Sequence, residues 1–279
     1  MRKGINIWAF RDQSDLRRCM ILAHKAGFEG IELAYALKGP IGPESTPEDM
    51  KAILQMAREV GIEICSLATG VLWQFNLISE DREERETAKG HVRKGLELAG
   101  VLGVDTMLVV PGFTGPFQSG PAVIQDYEAA YNRALENFRE LGPIAEQHEV
   151  YIGVENVWNK FLNSPLEMRD FIDRVGHPYV QCYFDVGNIM RTGYPEHWIR
   201  VLGSRIRKVH FKDFKTDVGT LEGFVELLSG DVNYPAVMEA LRDVGYDGWC
   251  TAELSPRTHW PESILQATSQ AMDLIFSGE

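Results

Sequence analysis

The chain is poor in the features that would place it in several large classes. Its four cysteines, Cys19, Cys65, Cys182 and Cys250, include no C-x-x-C pair. That leaves neither a disulfide framework nor a thiolate metal knuckle to read. Two of them sit inside apolar stretches, so the expectation is small buried thiols in a reduced, cytoplasmic chain. No stretch reaches the roughly 20 apolar residues of a membrane span. The opening Met1-Arg-Lys-Gly-Ile-Asn-Ile has no apolar leader run and reads as a first strand. Positive charge is scarce as well. The 28 Lys and Arg against 40 Asp and Glu leave a net charge of −12, which argues against nucleic acid as a partner. No Gly-rich phosphate fingerprint follows the first strand, and no composition shift marks a linker.

What is present is a regular alternation of strand and helix patterns. Strand candidates are Ile5-Asn-Ile-Trp8, Gly30-Ile-Glu-Leu33, residues 62–68, residues 106–110, residues 151–155, residues 180–185, residues 206–210 and residues 249–253. Helical spacing of apolar positions fills the intervals, for example Leu16, Cys19, Met20 and Ala23 before Gly27. Two helix starts carry a cap, a proline and an acid in order: Thr46-Pro-Glu-Asp and Ser164-Pro-Leu-Glu. The loop after the fourth strand, with Pro116, Gly120 and Pro121, is expected to be irregular, and so is a long connection after the seventh strand to about Val232. Eight strands and eight helices over 279 residues predict α/β architecture as one closed (β/α)8 TIM barrel, residues 1–279 forming a single domain.

Four strands of the second half end in a side chain able to bind metal. They are Tyr151-Ile-Gly-Val-Glu155, Val180-Gln-Cys-Tyr-Phe-Asp185, Ile206-Arg-Lys-Val-His210 and Trp249-Cys-Thr-Ala-Glu253. A parallel barrel carries all its strand C-termini to one face, so residues this distant in sequence can meet. Alternation puts Val154, Phe184, Val209 and Ala252 towards the helices and the four polar groups inward. Isolated charges there would be costly, and a divalent cation removes that cost. Three carboxylates and one imidazole form a hard donor set suited to Mn2+, Mg2+ or Co2+, and less selectively to Zn2+. Taken singly, a glutamate at a strand end is more often a solvated or hydrogen-bonded group. Four at corresponding places in consecutive βα units make a constellation.

The motifs Gly153-Val-Glu-Asn156, Phe184-Asp-Val-Gly-Asn188, Val209-His-Phe-Lys-Asp213 and Thr251-Ala-Glu253 resemble the strand ends of the xylose-isomerase-like sugar phosphate isomerase/epimerase superfamily, nearest its ketose 3-epimerase branch. The resemblance spans essentially the whole chain and is specific for the metal site. It implies a Mn2+-type ion on Glu155, Asp185, His210 and Glu253. It also implies that Glu155 and Glu253 form an acid/base pair flanking a sugar or sugar phosphate. Members form dimers or tetramers, so a homodimer or homotetramer is the corresponding expectation. One departure is visible: many members carry Asp-x-Gly-His after strand six, whereas this chain has Asn188, which hydrogen-bonds but cannot become a cation.

The chemistry holds independently. A proton alpha to a ketone is too weakly acidic to leave unaided, and a cation on the neighbouring oxygens stabilises the enediolate. Bases on opposite faces invert a carbon, and one base shuttling a proton between carbons isomerises aldose and ketose. The same site could serve a lyase or dehydratase acting on a cyclic polyol or 3-keto sugar. An endonuclease needs a His-rich three-metal cluster and a basic groove, and only one histidine ends a strand here. Further pocket candidates are Asn188 (pocket or turn residue), Lys212 (substrate contact or salt bridge), Lys215 and the aromatics Trp8, Trp73, Phe113 and Trp158 (sugar stacking or packing). Glu32 either orients a pocket group or holds the His210 tautomer. His259 is a weaker pocket candidate. His24, His91, His148, His177 and His197 read as surface or capping groups.

Overall fold

The computed structural model describes residues 1–115 and 123–278. Pro116, Gly120 and Pro121, with the expected irregular loop around them, lie outside the described residues. The barrel strands are β1 Arg2–Asn6, β2 Gly30–Tyr35, β3 Glu63–Thr69, β4 Thr106–Val109, β5 Tyr151–Glu155, β6 Val180–Asp185, β7 Ile206–Phe211 and β8 Trp249–Ala252. They close in the order β1–β8–β7–β6–β5–β4–β3–β2, and every neighbouring pair is parallel. The helices between and after them are α1 Leu16–Lys25, α2 Pro47–Val60, α3 Arg82–Leu102, α4 Tyr127–Gln147, α5 Pro165–Val175, α6 Pro195–Leu202, α7 Tyr234–Asp243 and α8 Ser263–Ser277. The expected (β/α)8 barrel is therefore the observed fold. No helix among the described residues is long and apolar enough to cross a membrane.

Local chemistry explains the boundaries. Thr46 and Asp49 form a reciprocal capping box at α2, and Ser164 accepts from Glu167 N at α5. Gly61, Gly103 and Gly176 end α2, α3 and α5 in the left-handed conformation. The outward residues of the strands and the inner faces of the helices make one continuous core. Phe138 and Phe171 meet edge to face there, with ring centres 5.5 Å apart. All four thiols are unpaired and buried, and burial pushes Cys65 up to about 11 and Cys19 up to about 12.

Three elements differ from the sequence expectation. β1 ends at Asn6, two residues early, because Asn6 Oδ1 accepts the Trp8 N–H at 2.7 Å and turns the chain into a 3-10 helix. β2 runs on to Tyr35, so Glu32 lies inside the strand and not at its end. The connection after β7 is not wholly irregular: Asp213–Phe214 pairs with Phe224–Val225 in a short antiparallel ribbon. Asp213 anchors it by accepting the N–H groups of Phe214, Gly230 and Val232 at 2.8, 3.0 and 3.2 Å.

Register sets the levels inside the barrel. Asp185 is level with His210, His210 with Thr251, and Asn6 with Glu32. Gly153 on β5 leaves space for the Tyr183 ring. A Cβ there would come within 3.0 Å of Tyr183 Cδ2 and 3.2 Å of Thr106 Cγ2. Gly153→Val should therefore overpack the barrel interior and cost about 1–3 kcal/mol. Loss of the α2 cap in Thr46→Ala should cost about 1 kcal/mol. Urea denaturation checks both; an unchanged midpoint for Gly153→Val would show that the interior has slack.

Candidate metal centre

The ends of β5, β6, β7 and β8 bring Glu155, Asp185, His210 and Glu253 together. One donor atom from each lies within 4.8 Å of all the others. Opposite ligands of an octahedral ion with bonds of 2.0–2.1 Å stand about 4 Å apart, so a small inward movement closes the set. The burial of their polar atoms is more telling. Asp185 Oδ2, His210 Nδ1 and Glu253 Oε2 are inaccessible and satisfy no hydrogen bond. Some of these atoms are close to one another, with His210 Nδ1 2.9 Å from Glu253 Oε2, but the angles are not those of hydrogen bonds. Buried polar atoms are nearly always satisfied. Three that lack a hydrogen bond converge on one point, two of them sharing Lys212 Nζ as an ion-pair partner, and a divalent cation fits there.

The shell behind them fixes their aim. Asp185 Oδ1 accepts from Asn188 N at 2.7 Å, which turns Oδ2 towards the cluster, and its backbone N–H and C=O are both held by Asn156 at 2.9 and 2.8 Å. His210 Nε2 is 2.6 Å from Glu32 Oε1. Glu32, fully buried, also accepts from Asn6 Nδ2 at 2.5 Å, Ser66 Oγ at 2.6 Å and the Tyr183 hydroxyl at 2.5 Å. Burial opposes its charge, but His210, Ser66 and Tyr183 outweigh burial and hold the carboxyl below its usual range. An ionised Glu32 holds Nε2 and so aims Nδ1 at the donor cluster; with an ion bound there, the imidazole proton would stay on Nε2 and the Nδ1 lone pair would face the ion. Glu32 thus sits beneath the cluster and does not line the cavity.

Lys212 enters from β7's end. Its Nζ lies 2.9 Å from Glu253 Oε2 and 3.2 Å from Asp185 Oδ2, so its ion pairs are with the neighbouring strands and not with Asp213. Gly187 makes the approach feasible, since a Cβ there would sit 2.8 Å from Lys212 Cβ. Three carboxylates against one lysine leave two negative charges, which a divalent ion neutralises. Without the ion the two glutamates diverge. Burial first, then Glu253 and Asp185, push Glu155 up. For Glu253 burial is outweighed by Lys212 and His210, which hold it down.

Above the donors opens a cavity of about 1060 Å³, lined by Glu155, Asn188, Lys212, Glu253 and the expected aromatics Trp8, Trp73 and Trp158. Asn188 lines the cavity and also serves its turn: its amide donates to Asn156 O at 3.1 Å and reaches Glu155 Oε1 at 3.4 Å. Trp158 donates to Asn188 O at 2.7 Å and packs on Phe214 and Phe224. Phe113 stacks on Trp73, outside the cavity lining. His259 and Lys215 are exposed and off the cavity wall. His91 is half-buried, 3.0 Å from the Tyr35 hydroxyl, and is not a simple surface group. The sequence reading missed Asn6, Ser66 and Tyr183. Inward parity with Asp185 was a signal for Tyr183. It also missed Glu226 and Arg257, a loop-to-loop ion pair at the cavity rim.

Residues 21–274 match the model of the xylose isomerase-like TIM barrel family. The chain belongs to that family. Among its xylose isomerase-like relatives, a human protein provisionally named a hydroxypyruvate isomerase is 26% identical over 282 residues, covering 92% of this chain and 90% of its own length. D-psicose 3-epimerase of Enterocloster bolteae is 25% identical over 261 residues, covering 91% and 82%. D-psicose 3-epimerase of Clostridium cellulolyticum H10, solved with D-tagatose, superposes with a TM-score of 0.83 at 21% identity, covering 99% of each chain.

Two outcomes follow for the metal centre of this xylose isomerase-like barrel. Stripping divalent ions should lower the melting temperature, and restoring one at 100 times its dissociation constant should return about 2.7 kcal/mol. Scanning calorimetry with Mn2+, Mg2+, Co2+ and Zn2+ in turn measures this, and the absence of any shift would contradict the reading of the cluster. Glu32→Gln should weaken the bound ion by about 10–100-fold in a calorimetric titration, by loosening the imidazole's aim.

Proposed function

We propose that this protein is a Mn2+-dependent ketose epimerase of the 3-epimerase type, inverting a carbon next to a sugar carbonyl. The observation that carries the reading is the placement of Glu155 and Glu253 at the ends of strands three steps apart around the barrel mouth, both lining the same cavity and both members of the buried donor cluster. The substrate class is taken from the D-psicose 3-epimerases among its relatives and structural neighbours. The hard donor set favours Mn2+ among the candidate ions.

Glu155, Asp185, His210 and Glu253 would hold a divalent ion, which would supply positive charge to offset the negative charge developing in the enediolate. One of the two glutamates takes the proton from C3, and the C–H electron pair moves into the enediolate. The other glutamate returns a proton to C3 from the opposite face, and the carbonyl reforms. Asn188 holds Glu155 in place through its amide. Lys212 offsets the charge on Glu253 and Asp185. Trp8 and Trp158 follow β1 and β5, diametrically opposed in the strand order, and present rings from opposite walls that exclude water around the sugar. Four unpaired buried thiols are consistent with residence in the cytoplasm.

Incubation of the Mn2+-loaded protein with ketohexoses in D2O tests this. The expected result is deuterium at C3 of the substrate and of its C3 epimer, with no loss of water. A keto-deoxy or enone product would replace epimerisation by elimination at the same site. Glu155→Gln and Glu253→Gln should each lower kcat by about 10²–10⁴-fold while leaving the fold intact by circular dichroism. Parent-level turnover in either variant would remove that residue from the acid/base pair.

A further inference from the structure

We propose that Lys212 sets the charge selectivity of the cation site, opposing the ion and favouring the enediolate. The inference rests on the function proposed above and deepens it. Lys212 Nζ stands 2.9 Å from Glu253 Oε2 and 3.2 Å from Asp185 Oδ2. Both oxygens are buried, lack a hydrogen bond and belong to residues of the donor cluster. The ammonium and a divalent ion therefore draw on the same oxygens. Among the described residues, no other lysine or arginine stands within ion-pair distance of Glu155, Asp185 or Glu253. Arg257 is paired with Glu226, and Arg191 lies over the Trp158 ring at 5.1 Å.

The surroundings hold the ammonium at this place. Asp213, next in sequence, turns its carboxylate to the N–H groups of Phe214, Gly230 and Val232. The Lys212 carbonyl accepts from the Tyr234 hydroxyl at 3.2 Å, which steadies the backbone. The stem passes Gly187, where a Cβ would stand 2.8 Å from Lys212 Cβ and 2.9 Å from Cγ. On the cavity wall the Phe224 ring centre lies 5.0 Å from Nζ, and a ring face attracts a cation. Lys212 also lines the cavity, so one fixed charge borders both the donors and the sugar.

Two effects of opposite sign follow. Repulsion between like charges grows with their product. Three carboxylates less one ammonium present two negative charges, a match for a divalent ion. Without the ammonium they present three, a match for a trivalent one. Loss of the Lys212 charge should therefore strengthen the binding of any cation, and of a trivalent cation most. The enediolate is an anion, and the same charge attracts it. A lysine that only propped up the carboxylates would behave differently: its loss would weaken divalent and trivalent ions alike.

Titration calorimetry of the ion-stripped full chain with Mn2+ and with Tb3+ measures the first effect. Lys212→Gln removes the charge and keeps a donor, and Lys212→Arg keeps the charge. In Lys212→Gln, Mn2+ should bind about tenfold tighter and Tb3+ about thirtyfold tighter, the exponent following the ionic charge. Lys212→Arg should keep the parent's ratio of the two affinities. Lys212→Met takes the place of Lys212→Gln if circular dichroism shows that the latter does not fold. The second effect is read as kcat for deuterium entry at C3 of ketohexoses in D2O at saturating Mn2+, which should fall about tenfold or more in Lys212→Gln. Unchanged or weaker ion binding in the neutral variant, an equal gain for the two ions, or parent-level kcat would each overturn the inference, leaving the metal centre and the epimerase reading in place. Deuterium entry in none of the chains would instead remove the epimerase reading, and the ratio of ion affinities would then judge the charge selectivity by itself. Ion binding by none of them would remove the metal centre and this inference with it.

Discussion

The contact on which the site depends is the one between a fully buried carboxylate and an imidazole in the middle of the barrel. Glu32 would be an expensive charge in an apolar interior. Four donors from β1, β3, β6 and β7 surround it and make it affordable. Because those donors come from four strands, the carboxylate also ties strands on different sides of the closed sheet. Its effect on the surface chemistry is indirect. It grips the lower imidazole nitrogen and so aims the upper one at the cavity floor. Asp185 is aimed by the same principle, with one oxygen committed to a backbone N–H and the other turned to the cluster and Lys212.

The alternation of strands and helices was readable from the chain because each unit carries its own local signals: a period, a cap, a glycine stop. Glu155, Asp185, His210 and Glu253 were readable for a related reason. Each interrupts an apolar run at the same place in its βα unit, and a parallel barrel has one face for such places. The cradle around Glu32 was not readable to the same degree, since it depends on register: Asn6 level with Glu32, and a shift between Cys182 and Tyr183 that sets the height of the phenol ring. The ribbon of two-residue strands has no period to detect. Glu226 and Arg257 lie 31 positions apart in different loops, so no spacing rule joins them. Asn188 is a case where two alternatives proved compatible, since one amide lines the cavity and serves its own turn.

The arrangement separates two tasks physically. The candidate donor cluster stands on strand ends backed by hydrogen-bonded polar neighbours. The shape of the cavity comes from residues at and after the ends of β1, β3, β4, β5, β7 and β8, where rings and aliphatic side chains pack without contributing to the donor set. Lys212 is the point at which the tasks meet, because it lines the cavity and moderates the charge of two donors. Gly187 allows that overlap by leaving its neighbour room to pass.

Asp213 anchors the ribbon by collecting three backbone N–H groups, two of them from the far end of the loop, at Gly230 and Val232. The fifteen or so residues between are thereby fastened at their base, and contacts of Phe214 and Phe224 with Trp158 and of Glu226 with Arg257 hold them over the barrel mouth. Insertions, deletions or exchanges in that stretch would alter which molecules are admitted without moving the floor of the barrel. The loop is thus an exchangeable cover over a floor that is held independently of it.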